Sequence, residues 1–194
     1  MALDRTWYNT LVDDDGSNTV GSVWDKADVD ALMDAVDAEL VRTITPPIHC
    51  SVSRSVGAGQ SVPHATWTAL SYDVVHTQTP AGMFTPGTGH LIAPSAGIYL
   101  VTASACFAIN TTGARAATIY LNGSPTLGRA GQDHMIDANS STYSVCTSTA
   151  VLALQAGQYV QFLAYHAAGA PLQVGGFGTM ATNALQLTRI APLT

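Results

Sequence analysis

The stretch that decides the fold class reads AGIYLVTASA and runs from Ala96 to Ala105. A turn glycine is followed by alternating apolar and polar residues, which is the period-two pattern of a strand with one face in a core and one face outside. The same arrangement returns in LQAGQYVQF from Leu154 to Phe162, and the alternation alone returns in NALQLTRI from Asn183 to Ile190. These three blocks, spread over roughly ninety residues, indicate a β-sandwich and not an enzyme cleft.

The chain reads as β throughout from His49 onward. We expect strands over 48–56, 65–76, 89–93, 97–108, 115–122, 141–153, 158–166 and 184–191, separated by clusters of Gly, Pro, Asn and Ser. Eight or more short strands at this spacing are typical of a sandwich or a jelly roll. The predicted fold class is therefore mainly β, a two-sheet antiparallel jelly-roll sandwich preceded by an irregular segment and one short α-helix.

The N-terminal quarter of the chain has a different character. We predict an irregular acidic segment over 1–24, a helix over 25–42, a proline hinge over 43–47 and the jelly-roll domain over 48–194. Along the helix, apolar residues step by four, three and four, which is a heptad seam. The seam residues are Val29, Met33, Val36 and Leu40. The helix either packs on its own domain or forms a short parallel bundle with copies of itself around a symmetry axis.

Charge is divided unevenly along the chain. Residues 1–42 hold ten acidic and three basic residues, so their net charge is −7, whereas residues 43–194 hold three acidic and four basic residues and carry +1. Ordinary domains contain roughly 25% charged residues. A domain so poor in charge must cover its surface with small polar residues or bury part of it against copies of itself. We expect it to form an oligomer through such a surface.

Composition also argues against several classes of protein. The sequence has no cluster of basic residues that could bind nucleic acid, and it has no run of eighteen apolar residues that would predict a membrane span. The first residues, MALDR, lack the apolar core of a secretory signal. Three cysteines without metal or redox spacing, Cys50, Cys106 and Cys146, are expected to be buried thiols in a reducing cytoplasm.

Residues 48–191 resemble the globular head of the complement C1q family, the tumour-necrosis-factor-like jelly roll. The resemblance rests on WTALSYD at 67–73, MF at 83–84 followed by LIAP at 91–94, GIYL at 97–100, LQAGQYV at 154–160 and LQL at 185–187. It implies a compact homotrimer that binds or adheres and does not catalyse. It places the core of the domain at Trp67, Tyr72, Phe84, Tyr99, Val160, Phe162, Leu185 and Leu187. Animal members bind calcium, but the loops here hold almost no carboxylates, so we assign no metal.

The N-terminal residues resemble the attachment segment of tailed-phage virion proteins, in DRTWYNTLVDDDGS at 4–17 and GSVWDKADVDAL at 21–32. This resemblance implies a bacteriophage virion protein, made in the cytoplasm of the bacterial host and exposed on the virion. As a capsid decoration protein or head fibre, it would dock on capsid or tail proteins through its N-terminus. The alternative is a tail-fibre tip that binds a host-surface glycan or protein. The binding loops would then be 78–90, 131–141 and 167–180. The expected anchor residues are Trp7, Tyr8, Asp13, Asp14, Asp15 and Trp24.

Catalytic and cofactor motifs are absent from the sequence. It contains no Gly-x-Ser-x-Gly elbow, His-Glu-x-x-His helix, Cys-x-x-Cys pair or phosphate-binding Gly-Lys-Ser/Thr loop. We therefore predict no enzyme and no cofactor; a hydrolase would have to draw its acid pair from Asp73, Asp133 and Asp137. His64, His76 and His90 lie in one half of the domain, where a shared metal is the less common alternative to separate surface histidines.

Overall fold

The computed structural model describes residues 26–44, 47–57, 59–123, 134–139, 141–177 and 183–193. The chain divides into two compact units, Met1–Pro46 and Pro47–Thr194. The division falls between the two consecutive prolines. A residue that precedes proline is held in an extended conformation, so a helix cannot continue through this pair.

The helix α1 of the first unit is described over Lys26–Ile44, where the sequence predicts a helix over 25–42. Three of the four seam residues have described side chains: Val29 and Met33 are half-buried, and Val36 is 38% exposed. Leu40 lies on the helix, but its side chain is outside the described part. Leu32, beside the seam, is 52% exposed. The described part of the helix thus keeps a partly exposed apolar stripe.

The second unit is built from twelve described strands. They are β1 His49–Ser53, β2 Gln60–Val62, β3 Thr68–Ala69, β4 Val74–Thr79, β5 His90–Ile92, β6 Gly97–Phe107, β7 Asn110–Leu121, β8 His134–Asn139, β9 Ser144–Leu154, β10 Tyr159–His166, β11 Leu172–Val174 and β12 Ala184–Pro192. All of the strand pairs are antiparallel. The predicted mainly β, antiparallel fold class is confirmed.

The strands form two sheets. The first sheet has the order β2-β11-β6-β12-β1-β4, with β9 on the other side of β6, and the second has the order β3-β10-β7-β8, with β5 also paired to β10. β6 and β9 pair along their whole length, from Gly97 opposite Leu154 to Phe107 opposite Ser144. Gly97 is required there, because a Cβ at this position would lie 2.6 Å from the Arg189 Nε atom and 2.9 Å from the Ala191 carbonyl oxygen.

The core lies between the inward faces of the two sheets. Alternate residues of β6 and β9 are buried, as the period-two pattern requires. Seven of the eight predicted core residues are buried: Tyr72, Phe84, Tyr99, Val160, Phe162, Leu185 and Leu187. The prediction for Trp67 is wrong: its ring is half-buried and lies against Tyr120 and Tyr165, because the residue precedes β3 on the outward side of the second sheet.

The predicted strand 65–76 is split in the structure. Residues 70–73 carry the chain from β3 in the second sheet to β4 in the first, so they cannot belong to either ladder. Their backbone is tied to both sides: Leu70 N–H donates to the Phe162 carbonyl oxygen at 3.0 Å, and Asp73 N–H donates to that of Ser53 at 3.1 Å. The sequence pattern also missed β2, β8 and β11, which are short or lack clear alternation.

Candidate assembly and binding surfaces

The outer face of the first sheet is free of charge at its centre. This central face consists of residues 100–104 of β6, 147–151 of β9 and 184–188 of β12, none of which is Asp, Glu, Lys or Arg. Outward-pointing residues alternate with buried ones, and those on β9 are threonine and valine. Val151 is 61% exposed at one end of this face. Such a surface presents hydroxyl groups and short aliphatic side chains, and it carries no charge that would repel the same surface of another copy.

A shallow groove of about 280 Å³ lies in the central face. Thr102 and Thr149 stand opposite each other across the β6–β9 ladder, and Gln186 faces them from β12. The Thr102 hydroxyl lies 3.4 Å from the Gln186 Oε1 atom, to which it donates. The groove lining is therefore polar but uncharged, and it suits a neighbouring protein surface better than an ionic ligand.

Next to this face, the sandwich is bounded by two edge strands, each of which pairs with a strand on one side only. Among the described strands, β9 pairs only with β6 and β8 only with β7, and the two strands contact each other. Exposed apolar side chains lie on both strands: Met135 on β8 is 68% exposed, and Val145 on β9, which shares the outward face of Thr147 and Thr149, is 44% exposed. Tyr143, between the strands, stacks on Phe177 with ring centroids 4.8 Å apart. This edge is the side of the sandwich, whereas the central face is the outside of one sheet, and the two adjoin along β9.

The outer face of the second sheet carries aromatic rings. The Trp67 ring centroid lies 5.3 Å from that of Tyr165 and 6.4 Å from that of Tyr120. Along the same strand as Tyr165, the Tyr159 ring lies 4.9 Å from the ring of His90 on β5. We call Trp67, Tyr120 and Tyr165 the aromatic cluster; Trp67 and Tyr165 are half-buried, and Tyr120 is buried. Aromatic side chains supply a large apolar contact area, and Tyr and Trp are enriched at interfaces.

The three histidines considered as a metal site have separate partners. His64 Nδ1 accepts from the Gly169 N–H at 3.0 Å, His76 Nε2 lies 2.8 Å from the Ser53 hydroxyl, and His90 packs on Tyr159. Among the described residues no group of three or more His, Cys, Asp or Glu side chains could hold a metal ion. The structure therefore gives the metal alternative no support from these residues.

The two described carboxylates considered for hydrolysis lie on different elements, Asp73 between β3 and β4 and Asp137 on β8. The Asp73 carboxylate accepts from the Ser55 N–H and hydroxyl, both at 2.6 Å. Burial raises the pKa of Asp73, but the Ser55 hydrogen bonds and the Arg54 charge outweigh it, so the pKa lies below its usual value. Asp137 lies in β8, whereas Asp133 is outside the described residues. Asp73 thus acts as a hydrogen-bond acceptor at residues 70–73, where the chain passes from one sheet to the other.

The three thiols are free and buried. Burial raises the pKa of Cys50 and Cys106 to about 11. Burial raises the pKa of Cys146 to about 12, against a partial lowering by the Arg115 charge. A thiol must lose its proton to become a nucleophile or a metal ligand. These cysteines are therefore inert in the folded domain.

Solved structures of other proteins share this fold, although the sequence itself has no match. No family model matches the sequence, and no curated protein matches it. The globular domain of the zebrafish complement 1qA protein aligns over 76% of this chain and 100% of its own length, at 16% identity and a TM-score of 0.55. The domain is a C1q/TNF-like jelly roll. Eiger TNF from S. frugiperda covers 77% of this chain and 96% of its own length, at 17% identity and a TM-score of 0.51. Murine APRIL at pH 8.0 covers 73% and 99%, at 16% identity and a TM-score of 0.53.

Several expected site residues lie outside the described structure. The six anchor residues, Trp7, Tyr8, Asp13, Asp14, Asp15 and Trp24, are all of this kind. The expected binding loops of the C1q/TNF-like domain are only partly loops: 134–139 and 172–174 are strands, while 131–133, 140 and 178–180 are not described. The aromatic cluster was missed by sequence reasoning, although alternation along 159–165 would have placed Tyr159 and Tyr165 on one face. Among the described helices, none has the length and hydropathy needed to cross a bilayer.

Proposed function

We propose that this chain is a homotrimeric, non-catalytic structural protein whose C1q/TNF-like domain assembles through the central face of its first sheet. The charge-free centre of that face is the observation that carries the proposal. An interface between copies removes side chains from water, and an uncharged surface avoids the large cost of desolvating ions. Hydroxyl groups along β6, β9 and β12 can pair across such a contact.

The relation between the central face and the β8–β9 edge favours a ring of copies. If the edge of one copy packs on the face of the next, two different surfaces meet, and the contact is head-to-tail. Head-to-tail contacts build a closed ring where the rotation between copies closes. A ring of three is the arrangement that the C1q/TNF-like resemblance of the sequence implies.

The mass of the full chain in solution tests the assembly. One chain has a mass of 20.1 kDa, so light scattering on a sizing column should give about 60 kDa for a closed trimer. The measurement should be repeated from high to low micromolar concentration. A stable 20 kDa species across that range would overturn the proposal, and a mass that keeps growing with concentration would replace the ring by an open chain.

We further propose that the assembly belongs to a bacteriophage virion, as a capsid decoration protein or head fibre attached through its N-terminal residues. Support comes from the resemblance of 4–17 and 21–32 to phage attachment segments and from the net charge of −7 on residues 1–42. The division of the chain at Pro46 separates this acidic segment from the domain that would be exposed. The virion surface is the corresponding location, after synthesis in the cytoplasm of the host.

Attachment is tested with particles stripped of this protein. The full chain should decorate them, whereas a fragment of residues 47–194 should stay trimeric and fail to attach. Antibody labelling of intact virions then separates the head shell from the tail tip. A fragment that decorates particles as well as the full chain would show that the domain, and not the N-terminus, docks.

A second candidate function, adhesion to a host-surface glycan, is favoured by the aromatic cluster. Trp67→Ala removes the ring that touches both neighbours, and Ile109→Ala removes an exposed apolar side chain between β6 and β7 as the control. If adhesion uses the cluster, Trp67→Ala should lose binding to host cells or purified surface glycan while Ile109→Ala keeps it. Equal binding by both variants and by the parent chain would remove the cluster from consideration.

A further inference from the structure

A buried imidazole lies at the end of β10. His166 is fully buried, and both of its ring nitrogens have partners. Nε2 lies 2.8 Å from the Val62 carbonyl oxygen, which can only accept, and Nδ1 lies 3.2 Å from the Ala168 backbone nitrogen, which can only donate. The two contacts together require a neutral ring with its proton on Nε2.

The ring joins two separate segments of the chain. Residues 60–66, which we call the strap, contain β2 and the turn after it; β2 pairs with β11. The strap reaches β10 through the Val62 carbonyl and through the Ala65 N–H, which donates to the His166 carbonyl oxygen at 2.8 Å. The second segment is the loop 167–171, whose Ala168 N–H is satisfied by His166 Nδ1. His166 is therefore one of two side-chain contacts between the strap and this loop; the other is exposed His64, whose Nδ1 accepts from the Gly169 N–H at 3.0 Å.

The charges around His166 disfavour a second proton on the ring. Arg115 on β7 stands opposite His166 in the ladder and is fully buried. In the described structure its guanidinium donates only to neutral oxygens, those of the Thr112, Gly113 and Ala114 carbonyls and Asn110 Oδ1.

The other elements packed here place no negative charge directly opposite His166 or Arg115. On β8, which pairs with β7, Asp137 is exposed and stands opposite Ala114, whereas Arg115 stands opposite Ile136. Cys146 on β9 is protonated because its pKa is raised, and the loop 167–171 carries no ionisable side chain. From the strap, the His64 ring lies 6.3 Å from the His166 ring. A protonated His166 would face the Arg115 cation without a counter-charge and would turn its Nδ1–H toward the Ala168 N–H.

We propose that His166 is an acid-sensitive latch, which holds the strap closed while the ring is neutral and releases it when the ring is protonated. Burial lowers the pKa of His166 below its usual value; the Val62 hydrogen bond opposes this, and the Arg115 and His64 charges add to the lowering. In an open strap the ring is hydrated and titrates near 6.5. The stabilisation is thus complete above about pH 6.5 and is lost as the pH falls toward the lowered pKa of the closed state.

Hydrogen exchange on the full chain tests the latch. The protection factors of the Ala65 and Ala168 amides, with intrinsic exchange rates divided out at each pH, should fall by about tenfold per pH unit below pH 6.5. The Val101 amide in the β6 ladder serves as the reference for global unfolding and should keep its protection between pH 7.5 and 5.0. Equal loss at all three amides, or no loss at any, would overturn the proposal.

Two variants separate the histidines. His166→Gln keeps a donor for the Val62 carbonyl but cannot titrate, so the pH dependence at Ala65 should disappear. His64→Gln removes the exposed imidazole that accepts from the Gly169 N–H, and the part of the pH dependence at Ala65 that comes from His166 should remain in place. Nitrogen chemical shifts of the parent protein's imidazoles provide a direct check that needs no variant: they should show the Nε2–H form at His166 and a midpoint below 6.5. A midpoint at or above 6.5 would overturn the latch.

Discussion

The outer face of the first sheet carries hydroxyl groups and short aliphatic side chains, whereas the outer face of the second sheet carries aromatic rings. Both faces come from the same period-two alternation, and both stand opposite inward faces that fill one core. Thr149 on β9 and Tyr165 on β10 illustrate the contrast. Alternation decides which side chain points outward, and side-chain chemistry then decides whether the exposed face suits a copy of the chain or a different ligand.

The largest expected effect comes from placing a charge on the first face. Thr149→Arg puts a guanidinium in the groove opposite Thr102, where an assembly would bury it without a partner. Burying an unpaired ion costs several kcal/mol, so the variant should run as a monomer in light scattering.

Gln161→Arg is the matched control, because it adds the same charge to the outward side of β10. It should keep the mass of the parent protein. If both variants keep that mass, the copies meet elsewhere; if both dissociate, the two faces do not differ as proposed.

A second prediction compares the inward and outward sides of one strand. Phe162 and Tyr165 are three residues apart on β10, the first fully buried and the second half-buried. Phe162→Ala leaves a cavity in the core and should lower the free energy of unfolding by about 3–5 kcal/mol. Tyr165→Ala removes mainly the contact with Trp67 and should cost about 0.5–1.5 kcal/mol. Urea denaturation at a fixed protein concentration measures both; equal losses would show that the aromatic face belongs to the core.

An effect smaller than that of Phe162→Ala is expected for the indole of the aromatic cluster. Trp67→Ala should leave the oligomeric mass unchanged and lower the free energy of unfolding by about 1–2 kcal/mol, because two aromatic contacts are lost at a half-buried position. Trp67→Phe should restore most of this loss. A thermal melt followed by circular dichroism checks both variants, and a loss above about 4 kcal/mol in Trp67→Ala would return the residue to the core, where the sequence placed it.

Long alternating strands were predictable from the sequence, and the stretches that leave a sheet were not. The predicted strand at 97–108 matches β6, and the one at 158–166 matches β10, because turn glycines and alternation mark both. The split at residues 70–73 was invisible, since apolar and polar residues continue to alternate while the chain crosses between sheets. Strands of three residues, such as β2 and β11, are too short to show a period.

Surface chemistry was harder to predict than the core. The small number of charged residues after residue 42 predicted a surface suited to assembly. The sequence did not show where that surface lies, because this depends on the pairing of β6 with β9 and β12. The aromatic cluster joins residues 67, 120 and 165, which are far apart in sequence. The latch at His166 likewise depends on the Val62 carbonyl, a backbone group that carries no signature in the sequence.

The buried thiols make the folded domain its own reporter. Cys50 lies in β1, Cys106 in β6 and Cys146 in β9, so each of three strands of the first sheet carries one label that only opening can expose. A thiol reagent present in excess would therefore count opening events and would distinguish the fraying of one strand from loss of the whole sheet. The same burial protects the thiols from oxidation in air. Disulfide exchange begins from the thiolate form of a cysteine, so an oxidant reacts only with molecules that have already unfolded. The extent of oxidation therefore records past unfolding.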